Sequence, residues 1–254
     1  MKNMVAVFFV YLGTSVLVFG ILSMLLPMRF LGIHTRLHGA FIVGAGFLLV
    51  NFGWSLPAPE IRVAAPRTEL DKFVPVYQFY EVHSIHIQAP KMRVYHAVKE
   101  VKASEIRFFR TLTWIRRFGR SRQQDILNPG GQAPILDVAT RSGFRLLADQ
   151  PEREIVLGTI VIQPDNWPPG LEPHNPPTPE NFRTLHEPGF AIAGMNFLID
   201  EEGPDACLLT TETRVWAADA TALKRFSAYW RTIYPGSALI RRMWLRAVKK
   251  RAES

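Results

Sequence analysis

Two long runs without a charge open the chain, and strand-like alternation and helical spacing take over after them. Met4 to Leu26, MVAVFFVYLGTSVLVFGILSMLL, is 23 residues long. As a helix rising about 1.5 Å per residue it reaches roughly 35 Å, enough to cross a hydrocarbon core of roughly 30 Å with some tilt. Leu37 to Leu56, LHGAFIVGAGFLLVNFGWSL, is a second uncharged run of 20 residues. The pattern predicts a transmembrane helical hairpin over residues 1–56, with spans at 4–26 and 37–56. Gly39, Ala40, Gly44 and Gly46 are expected to let the helices approach closely, and Tyr11 and Trp54 to sit in the interfacial aromatic belt. A signal peptide would carry a shorter apolar stretch ending in a small-residue cleavage site, whereas this run meets Pro27 and Arg29. A buried core helix is the competing reading of the second run.

Charge sharpens the division. Lys2, Arg29 and Arg36 are the only charged residues in 1–56, so all 22 acids and the other 27 bases lie beyond, a net +5. That remainder has an ordinary soluble composition, and its aliphatic and aromatic content excludes disorder for most of the chain. For orientation, Lys2, Arg62, Arg67 and Lys72 flank one side of the spans and Arg29 and Arg36 the other. This bias places both termini, and the soluble domain, in the cytoplasm of a multi-pass inner-membrane protein. The single cysteine, Cys207, forms no intramolecular disulfide and no zinc cluster, and fits a reducing compartment.

Residues 57–82 carry prolines at 57, 59, 66 and 75 with no sustained period through 76, and read as a linker. From His83, HSIHIQAP alternates as a strand does and stops at Pro90. MRVYHAVKEV follows as a short helix, then ASEIRFFRTLTWIRRF as a second, with Ile106, Phe109, Leu112 and Ile115 on one stripe. Strand candidates follow at 143–149, 153–163, 190–200 and 207–217, and their succession argues for an antiparallel sheet. Asp219 is an N-cap for a terminal helix bearing Leu223, Phe226, Trp230 and Ile233. Pro235-Gly236 is expected to interrupt it, with Ser237 capping a continuation that turns Ile240, Met243, Trp244 and Ala247 inward.

Strand 190–200 is apolar on both faces, as is strand 153–163. Something other than solvent must cover the second face, and a packed helix or an apolar ligand would each serve.

Few residues are candidates for chemistry. Glu154 and Glu212 sit on strands, and Arg214 shares a face with Glu212; they would orient a polar ligand head, supply a base if burial raised a glutamate pKa, or form an edge salt bridge. His83 and His86 lie on opposite strand faces, His34 and His38 lack carboxylate company, and His174 and His186 lie by a proline-rich connection. No metal site or cofactor is expected. The arginines at 107, 110, 116, 117, 120 and 122, with the basic C-terminus, suit anionic headgroups better than nucleic acid, or simply a solvated face. No nucleophile-elbow, Walker, dinucleotide or zinc-protease spacing occurs.

Taken in order, HSIHIQAPKMRVYHAV, EREIVLGTIV and TTETRVWAADATALKRFSAYW resemble the SRPBCC superfamily, with its START and pollen-allergen-like domains, over roughly 170 residues from His83 onward. The two-span hairpin departs from the soluble members and looks like that of membrane-anchored bacterial ones. The resemblance implies an α+β helix-grip fold over 83–254, an antiparallel sheet wrapped around a long C-terminal helix and an apolar cavity. The expected function is binding of a hydrophobic small molecule or lipid against Val156, Ile160, Phe190, Ile192, Phe197, Phe226 and Trp230, with Asn196, Glu212 or Arg214 orienting its polar part. A cyclase- or hydrolase-type enzyme on this fold ranks behind binding, beside a membrane scaffold without ligand.

Overall fold

The computed structural model describes residues 2–26, 32–33, 35–106, 133–141, 143–164 and 177–254. The expected second helix lies largely outside these residues, as do the arginines at 107–122, His34 and His174. The chain divides into two units, Met1–Pro59 with Ser227–Tyr234, and Glu60–Phe226 with Pro235–Ser254.

The first unit is built on two antiparallel helices, α1 (Lys2–Leu25) and α2 (Arg36–Ser55), both long and apolar enough to cross a membrane. Side chains such as Phe8, Phe41 and Leu48 point outward, 61 %, 69 % and 69 % exposed. The contact runs along glycines spaced by seven, Gly13 and Gly20 on α1 facing Gly46 and Gly39 on α2, with Gly53 against Ala6 and Val10. A Cβ on Gly46 would stand 2.5 Å from the Leu17 nitrogen and 2.8 Å from the Gly13 carbonyl. The two backbones therefore touch along this line of glycines. Of the four small residues expected at this contact, Gly39 and Gly46 are there; Gly44 meets nothing within 4 Å and Ala40 is exposed. Polar side chains inside α1 bond back one turn, Thr14 to the Val10 carbonyl and Ser23 to that of Phe19, so these hydroxyls are satisfied without water.

The second unit holds a five-stranded antiparallel sheet of β3 (Phe79–Ile87), β4 (Arg145–Gln150), β5 (Glu154–Ile162), β6 (Ala191–Gly203) and β7 (Ala206–Ala217), in the order β3-β7-β6-β5-β4. The first strand thus pairs with the last, Phe79 opposite Val215 and Ile87 opposite Cys207. One face packs on the C-terminal part of α7 (Ala220–Glu253), joined by α4 (Lys91–Glu100) and α5 (Ile135–Arg141). Ile155, Leu157, Met195, Phe197 and Leu209 meet Val94, Val98, Ile135, Trp244, Leu245 and Val248 there. With its α+β composition, antiparallel sheet and long terminal helix, this is the helix-grip arrangement.

The opposite face is covered too, by α3 (Glu69–Phe73) and α6 (Pro179–Thr184). Leu70, Phe73, Val74 and Phe182 bury Val156, Phe190 and Ile192. Glycines make the room. Gly158 and Gly194 lie opposite one another in the β5–β6 ladder, and a Cβ would come within 2.7 Å of the Phe182 ring at the first and 2.8 Å of Leu70 at the second.

Three features differ from expectation. Residues 57–82 are not a bare linker: β1 (Ile61–Arg62), α3 and β2 (Val76–Tyr77) fold there, and the sheet starts at Phe79 rather than His83. Helix α3 exists because Thr68 and Asp71 form a capping box and its apolar side chains are buried on the sheet. Second, α7 runs unbroken through Pro235. Proline removes its own N–H from the ladder and crowds the carbonyl one turn back, but buried residues on both sides of it, Trp230 and Ala238 among them, hold the helix together. Third, Ser237 caps nothing; its hydroxyl donates to Glu81 Oε2 at 2.9 Å. Asp219 does cap α7, accepting from the backbone of Thr221 and Ala222 at 2.7 and 2.9 Å.

Candidate functional site

Two polar assemblies lie inside the sheet domain, one on each face. On the face toward α3, Glu154 is 1 % exposed and both its oxygens are taken. Oε2 accepts from the Glu69 N–H at 2.6 Å, and Oε1 from the Leu70 N–H at 3.2 Å and Asn196 Nδ2 at 2.7 Å. The carboxylate therefore caps α3 from across the fold, placing negative charge at a helix N-terminus. Asn196 Oδ1 in turn accepts from the Glu212 backbone at 2.9 Å.

Beside it, Arg214 donates to Glu212 through Nε at 2.6 Å and Nη2 at 3.0 Å, and to Asp71 Oδ1 through Nη1 at 2.7 Å. Its guanidinium also reaches the Val74 carbonyl and lies 4.8 Å from the Tyr77 ring centre. Burial acts to raise the Asp71 pKa, but the backbone N–H of Arg67, the Arg214 side chain, and the backbone and hydroxyl of Thr68 outweigh it and hold the group below the usual carboxylate range. Arg214 is held above its ordinary value, because Glu212 and Asp71 outweigh the burial that would lower it. This is an internal clamp between β7 and α3, on a strand flanked by neighbours on both sides, not the edge salt bridge expected as one alternative.

The second assembly lies on the face toward α7. The odd-numbered positions of β3 point this way, placing Glu81 and His83 between Phe79 and Ile87. Glu81 is 3 % exposed; His83 Nε2 lies 2.7 Å from its Oε1 and Ser237 donates to Oε2. Arg242 Nε donates to His83 Nδ1 at 3.5 Å, an arrangement that assigns the imidazole proton to Nε2. Across the ladder Glu81 faces Thr213, and Thr213 faces Met195, which faces Leu157. From α7, the Arg241 guanidinium reaches Met195 Sδ and lies 5.8 Å from the Trp244 ring centre. Trp244 stacks tilted on Phe197 at 5.1 Å, and among the described residues its buried Nε1–H has no acceptor. One row across the inner face thus grades from carboxylate and hydroxyl to thioether and aliphatic carbon, with the His83 imidazole beside its polar end and a guanidinium above its middle.

The ten residues expected at a ligand do not converge. Phe197 lies on the α7 face. Val156, Phe190 and Ile192, with Ile160 against them, lie on the α3 and α6 face; Asn196, Glu212 and Arg214 belong to the polar assembly on that side. Phe226 packs on Phe79 at 5.1 Å, and Trp230 belongs to the other unit, 5.7 Å from Tyr234. Glu81, Thr213, Ser237 and Arg241 were not anticipated; the alternation of Phe79, Glu81 and His83 was the available signal. Among the described residues no group of three His, Cys, Asp or Glu could hold a metal.

No family model and no curated protein matches the chain. Solved structures of low similarity include TTHA0849 from Thermus thermophilus, 8 % identical over 68 % of this chain and 97 % of that one, with a TM-score of 0.28. Norcoclaurine synthase from Thalictrum flavum, in complex with dopamine and hydroxybenzaldehyde, is 11 % identical over 75 % of this chain and 94 % of its own, with a TM-score of 0.25. At such scores the likeness carries no functional argument, and the fold assignment rests on the strand order and the terminal helix described above.

Proposed function

We propose that this chain is a membrane-anchored binding protein for a hydrophobic small molecule or lipid bearing an acceptor-rich polar head, held between the sheet and α7. The hairpin spans the cell membrane and the sheet domain faces the cytoplasm. The observation that carries the reading is the graded row on the inner face. Ionisable groups inside a packed core cost free energy that pairing and hydrogen bonding only offset, they gather at functional sites, and here they stand at one end of an apolar surface. The buried Trp244 N–H, beside the Arg241 guanidinium, supplies a donor for the head, while Met195, Leu157 and Phe197 suit the apolar body. Binding fits better than cyclase- or hydrolase-type catalysis, because every oxygen of Glu154 and Glu212 already accepts from a protein donor and the His83 imidazole is engaged at both nitrogens.

A scaffold without ligand is the second reading, favoured by the direct packing of Phe197 on Trp244. Native mass spectrometry of the detergent-purified full chain, followed by solvent extraction and lipidomics, separates the two. A stoichiometric amphiphile retained by the wild type and depleted in Arg241→Met is the expected result. A wild type that carries no amphiphile, and whose melting temperature does not respond to an added extract of cellular lipids, overturns it in favour of the scaffold.

A further inference from the structure

A short stretch of α7 belongs with the hairpin. Ser227–Tyr234 groups with the first unit, whereas the helix on either side of it belongs to the sheet domain. Two specific contacts tie it there. Arg231, fully buried, donates from Nη1 to the Trp54 carbonyl at 2.6 Å and from Nη2 to the Leu56 carbonyl at 2.5 Å. These are carbonyls at the C-terminal end of α2, orphaned by the end of the helix and carrying its negative dipole, so a guanidinium is the group that suits them. The Tyr11 hydroxyl donates to the Thr232 carbonyl at 2.5 Å, an acceptor that the intact helix leaves only partly used because its second lone pair is open.

The depth of these contacts follows from the hairpin. Gly53 lies against Ala6 and Val10, and Gly13 against Gly46 and Val50, so Tyr11 is level with Val50, about one turn before Trp54 in the last turn of α2. Trp54 is a half-exposed aromatic at the end of the α2 apolar run and Tyr11 one about a turn further in, near the level at which such rings meet lipid headgroups. The α7 stretch tied to it, SAYWRTIY, repeats the composition: Tyr229 is 40 % exposed, and the Trp230 and Tyr234 rings lie 5.7 Å from each other. Its one charge is spent on capping α2, so the stretch can rest at the boundary of the hydrocarbon without a bare cation.

We propose that Ser227–Tyr234 is a third membrane-contacting element, lying in the headgroup zone of the phospholipid bilayer with Tyr229 against lipid. This rests on the reading of α1 and α2 as spans, and the test keeps the two apart. Cys207 is replaced by alanine in the full chain, and a single cysteine is introduced as Tyr229→Cys or, on the outer surface of α2, as Phe41→Cys. Each is labelled with a small environment-sensitive fluorophore and reconstituted in vesicles of phosphatidylethanolamine and phosphatidylglycerol. Quenching by nitroxides attached at the lipid headgroup or along the acyl chain is compared with quenching by aqueous iodide. The expected result is several-fold stronger quenching at position 229 by the headgroup nitroxide than by the deep one, and weak quenching by iodide. Iodide quenching at 229 as strong as that of free dye, with Phe41→Cys quenched from the acyl chain, overturns this inference and leaves the spans standing. Iodide quenching at both positions overturns the spans as well. An Arg231→Ala variant carrying the label at 229 adds a second readout: losing the cap should move the label toward the aqueous quencher, and no movement would show that Arg231 does not hold the stretch at that depth.

Discussion

Replacing Arg214 by methionine tests whether the ion cluster under α3 is the clamp its geometry describes. The side chain is 6 % exposed and satisfies three acceptors, Glu212, Asp71 and the Val74 carbonyl. Methionine keeps much of the volume and removes all of the donors, leaving two carboxylates facing each other without a cation. Breaking a buried pair by deleting one partner typically costs about 3–5 kcal/mol. The lower end applies here, because Asp71 keeps the backbone N–H groups of Arg67 and Thr68 at 2.7 and 2.8 Å, and Glu212 is partly open to solvent. For a domain of this size each kcal/mol moves the melting temperature by about 2–4 °C, so a loss of about 3 kcal/mol becomes roughly 6–12 °C. Thermal unfolding of the full chain in detergent, followed by far-ultraviolet circular dichroism, reads it. The triple variant Asp71→Asn, Glu212→Gln, Arg214→Met should recover most of the loss, since neutralising a whole buried cluster costs far less than orphaning part of it. A single variant within about 1 kcal/mol of wild type, or a triple variant no better than the single, would refute the clamp.

The depressed Asp71 pKa makes a pH prediction with a definite sign. A carboxylate held lower in the folded than in the unfolded chain adds stability that is fully present above its unfolded value of about 3.9 and is lost as pH falls through the folded one. Melting temperatures should therefore fall on the acid side in wild type, and less steeply in Asp71→Asn; parallel curves for the two proteins would contradict the assignment. In the hairpin, Gly46→Val should destabilise by about 1–3 kcal/mol or more by pushing side-chain carbon into the Leu17 and Gly13 backbone, whereas Gly44→Val, facing open space, should be neutral. Titration of helicity with sodium dodecyl sulfate compares the two variants, and equal behaviour would mean that the glycine contact does not hold the spans together.

The two long apolar helices and the strands were legible because each is a local pattern. A charge-free run long enough to cross a bilayer, or alternation ending at proline, is written in consecutive residues, and Asp219 ahead of an apolar stripe marked the start of α7 correctly. The short helix α3 was hidden among prolines. Five residues are too few for a helical period to emerge, and only the Thr68 to Asp71 spacing announced it. Starting the first strand at His83 had a further consequence, for it left Glu81 in the linker and so concealed a carboxylate that faces α7.

The candidate site was harder to see for a reason that period-two patterns share. Alternation sorts residues into two faces, but it does not say which face meets which neighbour. Val156 and Ile192 were grouped with Phe197 because all are apolar, yet parity alone sets Phe197 apart from them. The sign of the assignment is carried by glycine. Gly158 and Gly194 share parity with Val156 and Ile192, and a strand glycine marks a place where another element comes close. That element is α6 on one strand and α3 on the other, both too short to contribute a long amphipathic face of their own. The long helix must then pack on the opposite parity, where Glu81, Thr213, Met195 and Leu157 form their row. Read in this way, the two glycines in the middle of the sheet point to the face on which a ligand would be sought.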